Sequence, residues 1–238
     1  MTSAYQAKPK LYQYAVCPFC WKVRAMLAYK GVDYETIEVH PLNKKEIAFS
    51  NSYRKVPIYI DGKNRQVNDS TPIMRHIDNE FPAKPVFQRD VAIKEQEDKW
   101  LKWSESYVKS VPPLIYDTLG NALKAFDYIT HETKFSWYQR AVIKYSGALV
   151  MKMVAKKSQE KQQIENPRAH FEGLLGAWSE GLGGKKFMGG ETPNGADISV
   201  FGITMSLRGL PAAQLLDTNP GFRQWLGHME SATGLSFA

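Results

Sequence analysis

Apolar positions in the first third of the chain change period several times, and each change marks an element. "KLYQYAV" alternates and predicts a strand that ends at a Cys-Pro. "PFCWKVRAMLAYKG" follows, with Val23, Met26 and Leu27 at helical spacing, Pro18 in the first turn and Gly31 just past the end, so it predicts a helix. "DYETIEVH" alternates again as a second strand, and "NKKEIAFSNS" is a short helical or irregular piece. "VPIYID", the turn "GKNR" and "QVNDS" predict a hairpin. Ser70 or Asp69 then caps a helix over "STPIMRHIDNEF". The order β-α-β-α-β-β-α differs from a repeated βα alternation and predicts an α/β thioredoxin-like N-terminal domain over residues 1–80.

Residues 81–90, "FPAKPVFQRD", have two prolines and no periodicity, and are read as a linker. From Val91 the pattern is helical, which predicts an all-α domain over 91–238. "VAIKEQEDKWLKWSESYVKS" carries Trp100, Trp103 and Tyr107 on one face, and "VPP" at 111–113 is expected to break or kink that helix. "LGNALKAFDYITHE", "FSWYQRAVIKYSGALVMKMVAKKSQ", "NPRAHFEGLLGAWSEGLGG", "GADISVFGITMSLRGL" and "GFRQWLGHMESATG" supply further helices. The segment from Ser136 to Lys157 combines Val142, Ile143, Leu149, Val150, Met151, Met153 and Val154 with Arg140, Lys144, Lys152, Lys156 and Lys157. It is read first as a core helix, and alternatively as a helix lying on an anionic bilayer.

Composition narrows the classes. The 238 residues are 43% hydrophobic and 23% charged, ordinary for a soluble globular protein. No apolar run approaches the ~20 residues that span a bilayer, and the N-terminus lacks the pattern of a secretory signal. A net charge of +7 comes with no nucleic-acid-binding signature, so nucleic acid is not an expected partner.

The two cysteines, Cys17 and Cys20, carry the chemistry. A C-x-x-C can be a redox pair, half of a metal site or one reactive thiol. No second C-x-x-C is present and the five histidines are scattered, so no metal is expected. The strand–Cys-Pro-x-Cys–helix setting places unpaired N–H groups and the positive helix end at the Cys17 sulfur, which favours thiolate. Cys20, one turn further in, could resolve a mixed disulfide. Such chemistry points to a reducing compartment, cytoplasmic or an organellar stroma or matrix. Val56-Pro57 opens the third strand; in a thioredoxin-like fold this bond is cis and offers the Val56 backbone to an extended peptide, although Pro57 also suits a trans edge strand. Asp69 and Ser70 at the next helix start match an ammonium and a carboxylate, as at the γ-glutamyl end of glutathione, although a plain N-cap uses the same residues. Taken with Cys17 and Val56-Pro57, they favour a glutathione site.

Cys-Pro-Phe-Cys, Val-Pro and Asp-Ser, followed by a helical domain with Asn194 three residues before Asp197, resemble the glutathione transferase superfamily. "LYQYAVCPFCWKVRAML", "FSNSYRKVPI", "QVNDSTPI" and "FMGGETPNGADISVFGI" are similar to the microsomal prostaglandin E synthase type 2 family within it. The resemblance implies the glutathione transferase fold and glutathione as cosubstrate. It also implies a small electrophile, peroxide or disulfide as substrate, and a homodimer. It makes Cys17 the reactive thiol and Tyr14 its hydrogen-bond partner, and puts Phe19, Val56, Asp69 and Ser70 at the glutathione or inhibitor site. The chain departs from animal members: their histidines in the first helix of the second domain are absent from "KWLKWSESYVKSVPP", which puts haem in doubt. A non-catalytic or membrane-associated glutathione-binding protein is the alternative function.

Overall fold

A computed structural model describes residues 7–41, 43–87, 90–131 and 137–237. The sheet has the order β2-β1-β3-β4, built from β1 (Lys10–Gln13), β2 (Glu35–Glu38), β3 (Ile58–Ile60) and β4 (Gln66–Asn68). β1 runs parallel to β2 and antiparallel to β3, and β3 and β4 form the expected hairpin. Helix α1 (Pro18–Lys30) links β1 to β2. It starts at an extended Cys17 and ends at Gly31, whose φ of 67° suits a residue without a Cβ. A 3-10 turn, Lys45–Ile47, precedes β3, and α2 (Ser70–Glu80) follows β4.

Beyond α2 the described residues form no further named strand. The helices are α3 (Val91–Ile115), α4 (Leu119–His131), α5 (Trp137–Lys161), α6 (Pro167–Leu182), α7 (Gly195–Met205) and α8 (Pro220–Thr233). A 3-10 stretch, Pro211–Thr218, precedes α8 and had no counterpart in the periodicity. Trp178 is the hub of the aromatic core, its ring 5.3 Å from Trp100, 5.4 Å from Trp103 and 5.0 Å from Trp225. Part of the stretch read as a linker is docked: Val86 and Phe87 are buried, and their N–H groups donate to Asp78 at 2.9 and 3.0 Å. Lys30 holds the same stretch, donating to the carbonyls of Phe81 and Lys84 and to Asp78. Gln88 and Arg89 of that stretch lie outside the described residues.

Helix α1 lies against α7, where Gly202 faces its backbone. A Cβ at Gly202 would come within 2.5 Å of Lys22 Cα and 2.8 Å of Trp21 C. The start of α7 is tied down by a capping box. Asn194 accepts from the N–H groups of Ala196 and Asp197, and buried Asp197 accepts from those of Met188, Gly189 and Asn194 and from Trp225 Nε1.

Two expectations are modified. Helix α3 does not break at Val111-Pro112-Pro113 but continues to Ile115. Pro113 cannot donate to the carbonyl of Lys109, and that carbonyl instead accepts from Ser158 Oγ at 3.0 Å and Gln162 Nε2 at 3.1 Å, both on the neighbouring helical segment. The helix over 136–157 is not simply a core helix. Ala148 and Ala155 of α5 are buried, but Tyr145, Leu149, Val150, Met153 and Val154 are exposed. Ser136 lies outside the described residues.

Candidate functional site

Cys17 stands at the N-cap of α1, partly exposed, and Cys20 is fully buried; both are free thiols. The turn that presents Cys17 is closed by its N–H donating to the Tyr14 carbonyl at 3.0 Å. The Cys17 pKa is lowered, first by the S–H of Cys20 donating to its sulfur and then by the backbone N–H groups of Cys20 and Phe19. Burial and the Glu38 carboxylate oppose this and do not prevail. Cys20 moves the other way: burial first, and then its proton's bond to Cys17, push its pKa well up. The pair therefore divides its roles: Cys17 is the more readily ionised sulfur and Cys20 the thiol that donates to it.

Glu38, at the end of β2, accepts the Ala15 N–H at 2.8 Å and Gln13 Nε2 at 3.3 Å. It holds the strand-to-helix turn and places a negative charge near both sulfurs. Tyr14 meets Cys17 through its backbone, while its ring packs on Val39, Ile47 and Ile58. Its hydroxyl pKa is pushed up to about 12, by burial first and then by Cys17 and Cys20.

The other expected residues lie just before β3 and at the starts of α1 and α2. Val56-Pro57 is cis, and among the described residues nothing bonds the Val56 N–H or C=O. Phe19 is 42% exposed beside Cys17. Asp69 is the N-cap of α2, with φ at 69°, and accepts the Ser70 N–H at 2.7 Å. A non-glycine residue in this region is uncommon and costs ~1–3 kcal/mol, a pattern concentrated at functional positions. The Ser70 side chain is buried at the start of α2.

Three residues near the thiols escaped the sequence reading as site residues. Tyr53 connects the two halves of the site: its pKa is pushed to about 12 by burial first, then by Asp69, Cys20 and Cys17. It lay within the Ser-Tyr-Arg-Lys-Val-Pro string, which was its only signal. Lys22 lies in the first turns of α1. It is buried on α1 and donates to Thr71 Oγ1 at 3.2 Å, and burial lowers its pKa to about 8 against the pull of Asp69 and Glu105. Tyr116 follows α3 directly and is buried; its pKa rises to about 12, by burial and then by Cys17. It also lines a cleft of about 350 Å³ with Pro113, Asp117, Leu149, Lys152 and Met153, between the ends of α3 and α5. The broken-helix reading of α3 hid that position.

A sheet with a cis-proline strand facing a cysteine-capped helix, backed by a helical layer, has the architecture of glutathione transferases. Residues 11–85 match the family described as Glutathione S-transferase, N-terminal domain. A glutathione S-transferase from Rhodospirillum rubrum F11 shares the fold at TM-score 0.65 and 17% identity, over 94% of this chain and 88% of that one. A glutathione S-transferase-I bound with lactoylglutathione does so at TM-score 0.63 and 17% identity, over 97% and 100%. Prostaglandin E synthase 2 of Danio rerio is 31% identical over 269 aligned positions, which cover 95% of this chain and 71% of that protein. The chain belongs to the prostaglandin E synthase 2 family, within the glutathione transferase superfamily.

The charge balance at Cys17 is open to a direct check. Glu38→Gln keeps an acceptor for the Ala15 N–H and removes the charge. The pH midpoint of Cys17 alkylation by iodoacetamide should fall in this variant. A rise would mean that the carboxylate acts on the thiol by holding the turn rather than by its field.

Proposed function

We propose that this protein is a glutathione-dependent thiol enzyme, with residues 1–80 binding glutathione and Cys17 as its nucleophile. The observation that carries this reading is the partly exposed Cys17, its pKa lowered by Cys20 and by helix N–H groups. The free backbone of Val56, next to Pro57, would pair with the tripeptide. Asp69 would hold its ammonium group, and Ser70 with the α2 N-terminus its carboxylate. Phe19 would cover the site from the solvent side.

With a mixed disulfide of glutathione, the Cys17 thiolate attacks the glutathionyl sulfur. A Cys17–glutathione bond forms as the substrate thiolate leaves. A second glutathione thiolate then releases oxidised glutathione and regenerates Cys17; alternatively, Cys20 displaces glutathione and closes a Cys17–Cys20 disulfide. The relatives named prostaglandin E synthase 2 suggest a second substrate class, a cyclic endoperoxide. There the thiolate would bond one peroxide oxygen and the O–O bond would break. The other oxygen would take a proton and become an alcohol. Loss of the proton from the carbon bearing the first oxygen forms a ketone and expels the thiolate, so the reaction is an isomerisation with no net oxidant. Tyr14 and Tyr116, whose hydroxyls stay protonated at neutral pH and feel the Cys17 charge, would donate to the developing oxygen or sulfur charge.

Glutathione-dependent reduction of a small mixed disulfide tests this reading. Cys17→Ser should lose activity by roughly a hundredfold or more, because a serine hydroxyl is not ionised here. Cys20→Ser should retain a measurable part through the route that needs one cysteine. Parental activity in Cys17→Ser would overturn the thiol mechanism.

The exposed apolar stripe of α5 favours a second reading, peripheral association with an anionic bilayer. Tyr145, Leu149, Val150, Met153 and Val154 lie exposed together with Lys152, Lys156 and Lys157. Among the described residues no helix is long and apolar enough to cross a membrane. In flotation with phosphatidylserine vesicles the chain should rise with the lipid, and replacing Lys152, Lys156 and Lys157 by Glu should leave it in the dense fraction. Failure of the parent chain to float would remove this reading and leave the thiol chemistry untouched.

A further inference from the structure

A second polar cluster stands apart from the thiol cleft, where the β3–β4 turn meets the C-terminal half of α2. Asp61 follows β3 and is buried. Its Oδ1 accepts the backbone N–H groups of Lys63 at 2.9 Å and Arg65 at 2.8 Å, which fixes the carboxylate in place. Its Oδ2 lies 3.0 Å from Nε2 of His76. One helical turn further along α2, Glu80 places Oε2 3.8 Å from the same nitrogen. The three donor atoms all lie within 4.8 Å of one another.

Two buried polar atoms in this cluster have no hydrogen bond. One is Glu80 Oε2 itself, and the other is the hydroxyl of Tyr59, whose side chain is fully buried. The Tyr59 ring meets the His76 ring edge-on at 6.2 Å. Unpaired polar atoms are rare in folded interiors because each forfeits its hydration. Glu80 Oε2 lies 3.8 Å from His76 Nε2 and within 4.8 Å of the Asp61 oxygen, so it is an unpaired carboxylate oxygen placed at this cluster.

We propose that Asp61 Oδ2, His76 Nε2 and Glu80 Oε2 form a binding site for a divalent transition cation, with zinc as the best match. One imidazole and two carboxylates suit zinc better than magnesium or calcium, which favour all-oxygen shells. Zinc bonds of about 2.0–2.1 Å set tetrahedral donors ~3.3–3.4 Å apart, between the 3.0 Å from Asp61 to His76 and the 3.8 Å from His76 to Glu80. A fourth position would be left to water on the open side of His76. Arg65 is the competitor: its Nε lies 2.6 Å from Asp61 Oδ2, but its side chain is 55% exposed and free to swing into solvent. A bound ion would tie the β3–β4 turn to α2, the helix whose other end carries Asp69 and Ser70. Sequence spacing concealed the set, because Asp61 and His76 are fifteen residues apart and join only when the hairpin packs on α2.

Calorimetric titration with zinc chloride tests the site, using the full chain with Cys17→Ser and Cys20→Ser so that no thiol competes. One ion per chain should bind. His76→Gln and Glu80→Gln, each checked for native circular dichroism, should weaken binding by about tenfold or more through the loss of a ligand. Arg65→Ala should tighten it severalfold by removing the competing guanidinium. Cobalt in the same protein should give visible absorption bands without thiolate charge transfer. Absence of saturable zinc binding, or equal affinity in both ligand variants and the parent, would overturn the proposal.

Discussion

The close approach of α1 to α7 is the constraint on which the rest of this structure depends. At Gly202 there is room for a hydrogen and nothing more against the backbone of Trp21 and Lys22. The same α7 begins at a buried Asp197 that gathers three backbone N–H groups and an indole N–H. It is tied to α3 through Gly195 N–H to Glu97 at 2.7 Å and through the Tyr107–Thr204 hydroxyl pair at 3.0 Å. A helix held this tightly on one side cannot shift along its axis without breaking buried hydrogen bonds. The N-terminus of α1, and so Cys17, is positioned by the helical layer as much as by its own sheet.

What that positioning achieves is a contest of small electrostatic effects. Burial and Glu38 disfavour a negative charge on Cys17, whereas one S–H donor and two backbone N–H donors favour it. The donors prevail because they point at the sulfur, while the Glu38 carboxylate is occupied by Ala15 and Gln13. Cys20 matters in this account before any disulfide forms, since its raised pKa keeps the proton that stabilises its neighbour. Tyr53 and Lys22 extend the same polar surface toward Asp69, so the thiol and the start of α2 share one electrostatic environment.

Much of this was legible along the chain. Local rules read the strand-to-helix switch at Cys17, the Gly31 stop, the hairpin at "GKNR" and the capping box at Asn194 and Asp197, because each depends on neighbours in sequence. What escaped depends on partners far away. At Pro113 in α3, Ser158 and Gln162 supply to the Lys109 carbonyl the donors that proline cannot, and nothing near Pro113 announces them. The apolar residues of α5 looked like core, yet the small residues Ala148 and Ala155 make its buried contacts and leave larger ones outside. Periodicity identifies a helix but does not say which face its neighbours will cover.

The Cys20 S–H and the N–H groups at the start of α1 favour the ionised form of Cys17. Thiolate absorbance near 240 nm, followed against pH in the native chain, measures it directly. The account predicts an ionisation with its midpoint below the ~8.5 of a free cysteine, absent in Cys17→Ser and moved upward in Cys20→Ala. A midpoint at or above the free value, or one that Cys20→Ala leaves unchanged, would contradict it.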